Sequence, residues 1–185
     1  MSELLCIWPD RNDRVPYWIY TDQGNYEREL ENIFYGPVWN YVGLECEIPK
    51  PGDYKRTQIG DQSVIVVRDI DDDINVLVNR CAHRGVKICE QDSGSFNEIM
   101  CPYHQWTYDL KGNLLGVPFH RGVSGNGGMP ENFNLQENGL DKLEVHVRNG
   151  GIFATMSDAT PPFEDYMGTV SYTHLRAHET RHDLV

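Results

Sequence analysis

Residues 81–106 read CAHRGVKICEQDSGSFNEIMCPYHQW. Cys81 and His83 form a Cys-x-His pair, Cys101 and His104 form a Cys-x-x-His pair, and 17 residues lie between His83 and Cys101. Each flank offers one sulfur and one imidazole nitrogen within a single turn, so two loops present matching halves of one metal-binding set. Chance placement of four such residues in a core is the weaker alternative, because ligand-type side chains rarely recur at these spacings.

On both sides of this stretch the apolar pattern has period two or falls into short β-branched runs. VWNYVGLECEI (38–48), DYKRTQI (53–59), QSVIVVRD (62–69) and INVLVNR (74–80) precede it, separated by Pro51-Gly52, Gly60-Asp61 and Asp71-Asp72-Asp73. EIMC (98–101) and WTYDL (106–110) flank the second pair, and LLGVPF (114–119), KLEVHVR (142–148) and GIFATM (151–156) follow the turn Lys111-Gly112-Asn113. These segments predict strands joined by tight turns, hence a mainly β, antiparallel domain. One helix is expected between Thr21 and Tyr35, where Tyr26, Leu30, Ile33 and Phe34 recur at helical spacing. Asp22 supplies its cap and Gly36-Pro37 its stop.

With 185 residues, 39% apolar and 24% charged, the chain is long enough for one globular domain. A formal charge of -12 repels phosphate and argues against nucleic-acid binding. No apolar run approaches a membrane span and the start lacks signal-peptide character, so a cytosolic location is expected. Reduced thiols are the rule there, which favours metal ligation over disulfides for the five cysteines. Cys6, Cys46 and Cys89 have no partner at ligand spacing and are expected to be ordinary thiols. DIDDDIN (69–75) lacks the Gly and distal Glu of a calcium loop and reads as a solvated turn. SGNGGMP (124–130) reads as a surface loop, and His146 as an outward strand residue between Glu144 and Arg148.

The character of the chain changes near Thr169. Val170–Thr180, VSYTHLRAHET, resembles the translation of a transposase sequencing adapter, so 169–185 is expected to be an artefactual tail. His174, His178 and His182 are spaced at i, i+4 and i+8, but no zinc-protease Glu and no Cys pair accompanies them. They are expected to have no selected role.

For the Cys81, His83, Cys101, His104 set, a structural zinc is one reading, although zinc folds usually open on a Cys-x-x-Cys knuckle. The stronger reading is a Rieske 2Fe-2S cluster, with two thiolates on the inner iron and two imidazoles on the outer. Neutral imidazoles in place of two thiolates raise the potential from about -400 mV to about -150 to +300 mV, which suits one-electron relay. On this reading Gly85 lets a ligand loop pass close to the cluster, and backbone N–H groups along HRG and YHQW, including those of Tyr103 and Gln105, donate toward the sulfides. Trp106 covers the cluster or serves as a core side chain. Arg84 and Lys87 guide a redox partner or are simply solvated.

NRCAHRG (79–85), CPYHQWTYDLKGNLLGVPF (101–119) and WNYVGLECEIPKPGDY (39–54) resemble the large subunits of the Rieske non-haem iron ring-hydroxylating oxygenases. VPYWIYTD, GVPFHRG and GGMPENF resemble the subgroup acting on anthranilate, salicylate or terephthalate. Val86 and Tyr103 stand where respiratory Rieske proteins carry an extra cysteine pair. The resemblance implies an N-terminal lead with a helix (1–37), a Rieske domain (38–156) and the start of a linker (157–168). Beyond it, the family has a C-terminal domain whose mononuclear iron activates oxygen, and that domain is expected to be missing here. It also implies a reductase or ferredoxin donor, other large subunits and sometimes a small subunit as partners. The fragment alone is expected not to hydroxylate, and a stand-alone Rieske ferredoxin is the alternative function.

Overall fold

The structure is a computed structural model and describes residues 15–124 and 126–168. Strands run Asn40–Leu44 (β1), Asp53–Ile59 (β2), Gln62–Arg68 (β3), Ile74–Val78 (β4) and Ser93–Ser95 (β5). Ile99–Met100 (β6), Thr107–Tyr108 (β7), Leu114–Gly116 (β8), Lys142–Arg148 (β9) and Gly151–Thr155 (β10) follow. Every pairing is antiparallel. Seven strands form one sheet in the order β1-β10-β9-β4-β3-β2-β5, and β6-β7-β8 form a smaller second sheet. The expected antiparallel β architecture is therefore what the chain adopts.

β3 explains how two layers grow from one sheet. Its side chains alternate, and because they are apolar on both sides, six of its seven residues are buried. Val64 and Val66 join Val42, Ile48, Ile59, Val76, Ile152 and Ala154 in an aliphatic core. Ile65 and Val67 face the other way, into a core that contains Cys81, Cys101, Trp106 and Tyr108. The second core carries the small sheet and the metal-ligand loops.

The N-terminal helix (α1) spans Gln23–Glu29, capped by the Asp22 carboxylate accepting from the Asn25 N–H at 2.8 Å. It does not run on as α-helix to Tyr35. Leu30–Phe34 widens into a π-helical turn before Gly36. The helix leans on the β2–β3 turn, where Gly60 has φ +54° and an added Cβ would lie 2.7 Å from Leu30 Cδ2. Only glycine fits both the left-handed backbone and that approach.

Three differences from the sequence reading have physical causes. β6, β7 and β8 shrink to two or three residues because their flanks are committed to turns around Asp109 and the ligand loops. β5, SGS, carries no apolar signal and pairs with β2 through its backbone. His146 does not stand free on the sheet: its ring stacks on Phe163 at 4.3 Å, because the short helix Phe163–Met167 (α2) folds back over β9. Leu143, Val145 and Val147 do face the aliphatic core, as the alternation predicts. Cys6, residues 169–185 and the three tail histidines lie outside the described residues.

Candidate metal centre

The two ligand loops are built alike. In the first, the Gly85 N–H donates to the Cys81 carbonyl at 2.8 Å and the Cys81 N–H to the Val86 carbonyl at 2.9 Å. In the second, the Gln105 N–H donates to the Cys101 carbonyl at 3.0 Å and the Cys101 N–H to the Trp106 carbonyl at 2.9 Å. Both turns close through a residue in the left-handed region, Gly85 at φ +71° and Gln105 at φ +56°. No protein atom comes nearer than 3.6 Å to a Cβ added at Gly85, so its backbone angle is what the protein itself requires of glycine there. Gln105 adopts the same angle with a side chain, at a cost of about 1 kcal/mol.

These turns bring all four predicted ligands together in two pairs. Cys81 and Cys101 are 2% and 1% exposed and share the inner core. His83 and His104 lie nearer the surface, ring centroids 4.7 Å apart and edge to face. The pairing is chemically suggestive: His83 Nδ1 is buried and makes no hydrogen bond. A buried imidazole nitrogen without a partner is costly unless something else binds it. Among the described residues no three His, Cys, Asp or Glu side chains converge as a single ion requires. Two sulfurs on the buried side and two imidazoles on the outer side are the donor types that a binuclear iron-sulfur cluster of the mixed Cys/His kind uses.

The electrostatics follow the same division. Burial pushes the Cys81 thiol up and Cys101 adds to the rise, while hydrogen bonds from the Tyr108 hydroxyl and the His83 backbone N–H favour the thiolate. Those opposing donors are what a bound thiolate needs. Tyr108 is fully buried, with its hydroxyl 3.2 Å from Cys81 Sγ and 3.3 Å from the Ala82 N–H donor. Burial, then Cys81, raises the Tyr108 pKa well above the thiol range, so the phenol keeps its proton and donates to sulfur. Burial lowers the His83 pKa, with His104 and Arg84 adding to the effect, which keeps the imidazole neutral and able to ligate.

The surroundings assign places to the remaining predicted residues. Trp106, 4% exposed, stacks flat on His83 at 4.8 Å and 8°, so its direct contact is with a ligand ring. Tyr103 is exposed and tilts over His104 at 4.0 Å. Arg84 and Lys87 are exposed at the first loop. A cleft of about 360 Å³ opens beside His83, His104, Gln105 and Phe119, and another of about 470 Å³ beside Arg80, His83 and Arg84. His83 therefore borders both clefts and His104 the first, while Cys81, though buried, borders the second and Cys101 borders neither.

Two polar residues at the site were not legible as site residues. Tyr108 lies in a short strand and meets Cys81 across 27 residues of sequence. Asn79, 3% exposed, takes both N–H groups of Ile88 and Cys89 on its Oδ1. Its signal was present in NRCAHRG as a polar residue two positions before a ligand, but its partners are main-chain atoms. Cys46 is exposed and Cys89 is buried, and neither forms a disulfide.

Comparison with known proteins places this geometry. Residues 38–127 match the Rieske [2Fe-2S] domain. The chain is 54% identical over 166 residues to the salicylate 5-hydroxylase large oxygenase component of Ralstonia sp., covering 87% of this chain and 39% of that protein. It is 48% identical to the anthranilate 1,2-dioxygenase large subunit of Burkholderia cepacia, covering 86% of this chain and 38% of that one. Among solved structures, naphthalene 1,2-dioxygenase from Rhodococcus sp. superposes with a TM-score of 0.77 at 32% identity, over 88% of this chain and 36% of the other. The chain thus spans about two fifths of the length of the curated relatives it matches. Among the described residues no helix is long and apolar enough to cross a membrane. Fold and similarity agree that residues 38–127 form a Rieske [2Fe-2S] domain, and that the chain is similar to the Rieske-bearing part of the ring-hydroxylating oxygenase large subunits.

Proposed function

We propose that Cys81 and Cys101 bind the buried iron of a 2Fe-2S cluster, and His83 and His104 the outer one. Within a full-length large subunit, the chain then serves as the electron-relay part of an aromatic-ring-hydroxylating oxygenase. The cluster supplies a one-electron couple at a potential raised by its imidazole ligands. The chain's own residues set the conditions for it. Tyr108 holds its proton against the Cys81 sulfur, Trp106 fixes the His83 ring plane and keeps water from its buried face, and the neutral His83 presents Nδ1 inward. The exposed Arg84 and Lys87 orient an approaching donor, a reductase or ferredoxin.

The observation that carries this reading is the unpartnered, buried Nδ1 of His83 beside a second imidazole, above two buried thiols. In the full-length protein the electrons go to a mononuclear iron outside the described residues, in an assembly of several large subunits. The named relatives point to aromatic carboxylates as substrates, since salicylate and anthranilate appear in their names. Anaerobic reconstitution of the chain with iron and sulfide tests the assignment. The expected result is visible absorption and, after one-electron reduction, the EPR signature of a mixed Cys/His cluster at lower average g than a four-cysteine cluster, lost in His83→Cys or Cys101→Ser. Uptake of one colourless zinc instead would overturn it. Given a reductase, the reconstituted chain is expected to be reduced yet to leave salicylate and anthranilate unchanged.

A further inference from the structure

The two ligand loops have matching turns but unlike ends. The second loop, 101–106, is closed by a backbone ladder, because β6 and β7 on either side of it pair through Ile99–Tyr108 and Met100–Thr107. The first loop has no such ladder. It leaves the end of β4, which is already paired with β3 and β9, and returns at Ile88–Cys89, which belongs to no strand. At that gap stands Asn79.

Every hydrogen-bonding position of the Asn79 carboxamide is directed at closing the gap. Oδ1 accepts from the Ile88 N–H at 3.1 Å and the Cys89 N–H at 2.9 Å. Nδ2 donates to the Cys89 carbonyl at 2.7 Å and to Ser63 Oγ at 3.2 Å, and the Asn79 N–H donates to the Ser63 carbonyl at 2.9 Å. A carboxamide offers the same acceptor and donor as a peptide group, so this side chain stands in for a missing strand rung. Asn79 is 3% exposed, so water does not compete for these bonds.

We infer that Asn79 is a positioning residue for the cluster: it pins the return of the first loop to β3, and so holds Cys81 and His83 at the spacing that the ladder gives Cys101 and His104. Its side chain need not touch the cluster. The inference rests on the ligand assignment proposed above. It makes the first loop dependent on one side chain, where the second depends on strand pairing.

The test uses the full chain, reconstituted with iron and sulfide. Asn79→Ala removes all four side-chain bonds. Asn79→Asp keeps the two acceptor bonds and loses the donation to the Cys89 carbonyl. Asn75→Ala is the control, an asparagine within β4 whose Nδ2 bonds Asp69 at the turn instead. Chelator-driven bleaching is expected to be about tenfold faster or more in Asn79→Ala than in Asn75→Ala, with Asn79→Asp between them. The EPR lines of Asn79→Asp should broaden or shift, a change that a general loss of stability does not produce. If Asn79→Ala does not fold, the Asn79→Asp bleaching rate and spectrum decide the matter alone. Bleaching rates and spectra equal to those of Asn75→Ala would overturn the inference. Failure of the unaltered chain to take up any cluster would instead overturn the ligand assignment.

Discussion

On one face of β3, Val64 and Val66 join a core of buried aliphatic side chains, among them Ile48, Ile59, Val76 and Ile152. On the other face, Ile65 and Val67 meet a core that includes three thiols, two phenols and an indole, all but the Tyr54 phenol of β2 brought in by loops and by strands of two or three residues. The first core is held by area removed from water and by long antiparallel ladders, and needs nothing added. The second buries Cys81, Cys101 and Tyr108 together, and on the ligand assignment proposed above its order depends on what its sulfurs bind. On that assignment, one strand joins a self-sufficient half to a half that metal would complete.

The largest way to break that contrast is to remove a ligand. Cys101→Ser is expected to abolish cluster binding and to erase amide-exchange protection across 81–108, while β3 and β4 amides stay protected; loss of protection in both halves would show that they fold as one. Next comes Ile152→Ala on the aliphatic face, a fully buried side chain of β10. It should cost about 2–5 kcal/mol in chemical denaturation, equally with and without cluster, since no ligand reports on that face. Tyr108→Phe sharpens the comparison from the metal side. A donor to a sulfur favours the more negative, reduced cluster, so its removal should lower the potential by roughly 40 mV, the equivalent of about 1 kcal/mol in a one-electron couple. A redox titration reads it directly.

The smallest effect expected is a pH dependence at the turn that joins β3 to β4. Burial pushes the Asp69 carboxyl up, but donation from Asn75 and the N–H groups of Asp71 and Asp73, with Lys111 nearby, outweighs it and leaves the pKa lowered. A carboxylate with a folded pKa below its unfolded value stabilises above the unfolded pKa, and loses that contribution as pH falls through the folded pKa. The denaturation midpoints of the native chain and Asp69→Asn should therefore differ at neutral pH and converge in acid. Midpoints equally far apart at all pH values would assign Asp69 a packing role only.

The two halves were also unequally legible. β2 and β9 run from Asp53 to Ile59 and from Lys142 to Arg148 as the alternation predicted, because a sheet with one apolar face writes its period into side chains. The four candidate ligands stood out by their spacing, since each pair belongs to one short turn. What could not be read depends on main-chain partners far along the sequence. Ser93–Ser95 pairs with β2 through peptide groups, and Asn79 and Tyr108 act on atoms 9 to 27 residues away. Nor did the strand pattern reveal that α2 would return to cover His146 with Phe163.

That bare Ser-Gly-Ser strand has its own consequence. It forms one margin of the large sheet, and its three positions are all solvent-exposed and carry no apolar side chain. A newly made copy waiting for iron has an unfinished half, and a sticky, extended border would let neighbouring copies zip onto it. A border this short and this hydrophilic gives such polymers nowhere to start.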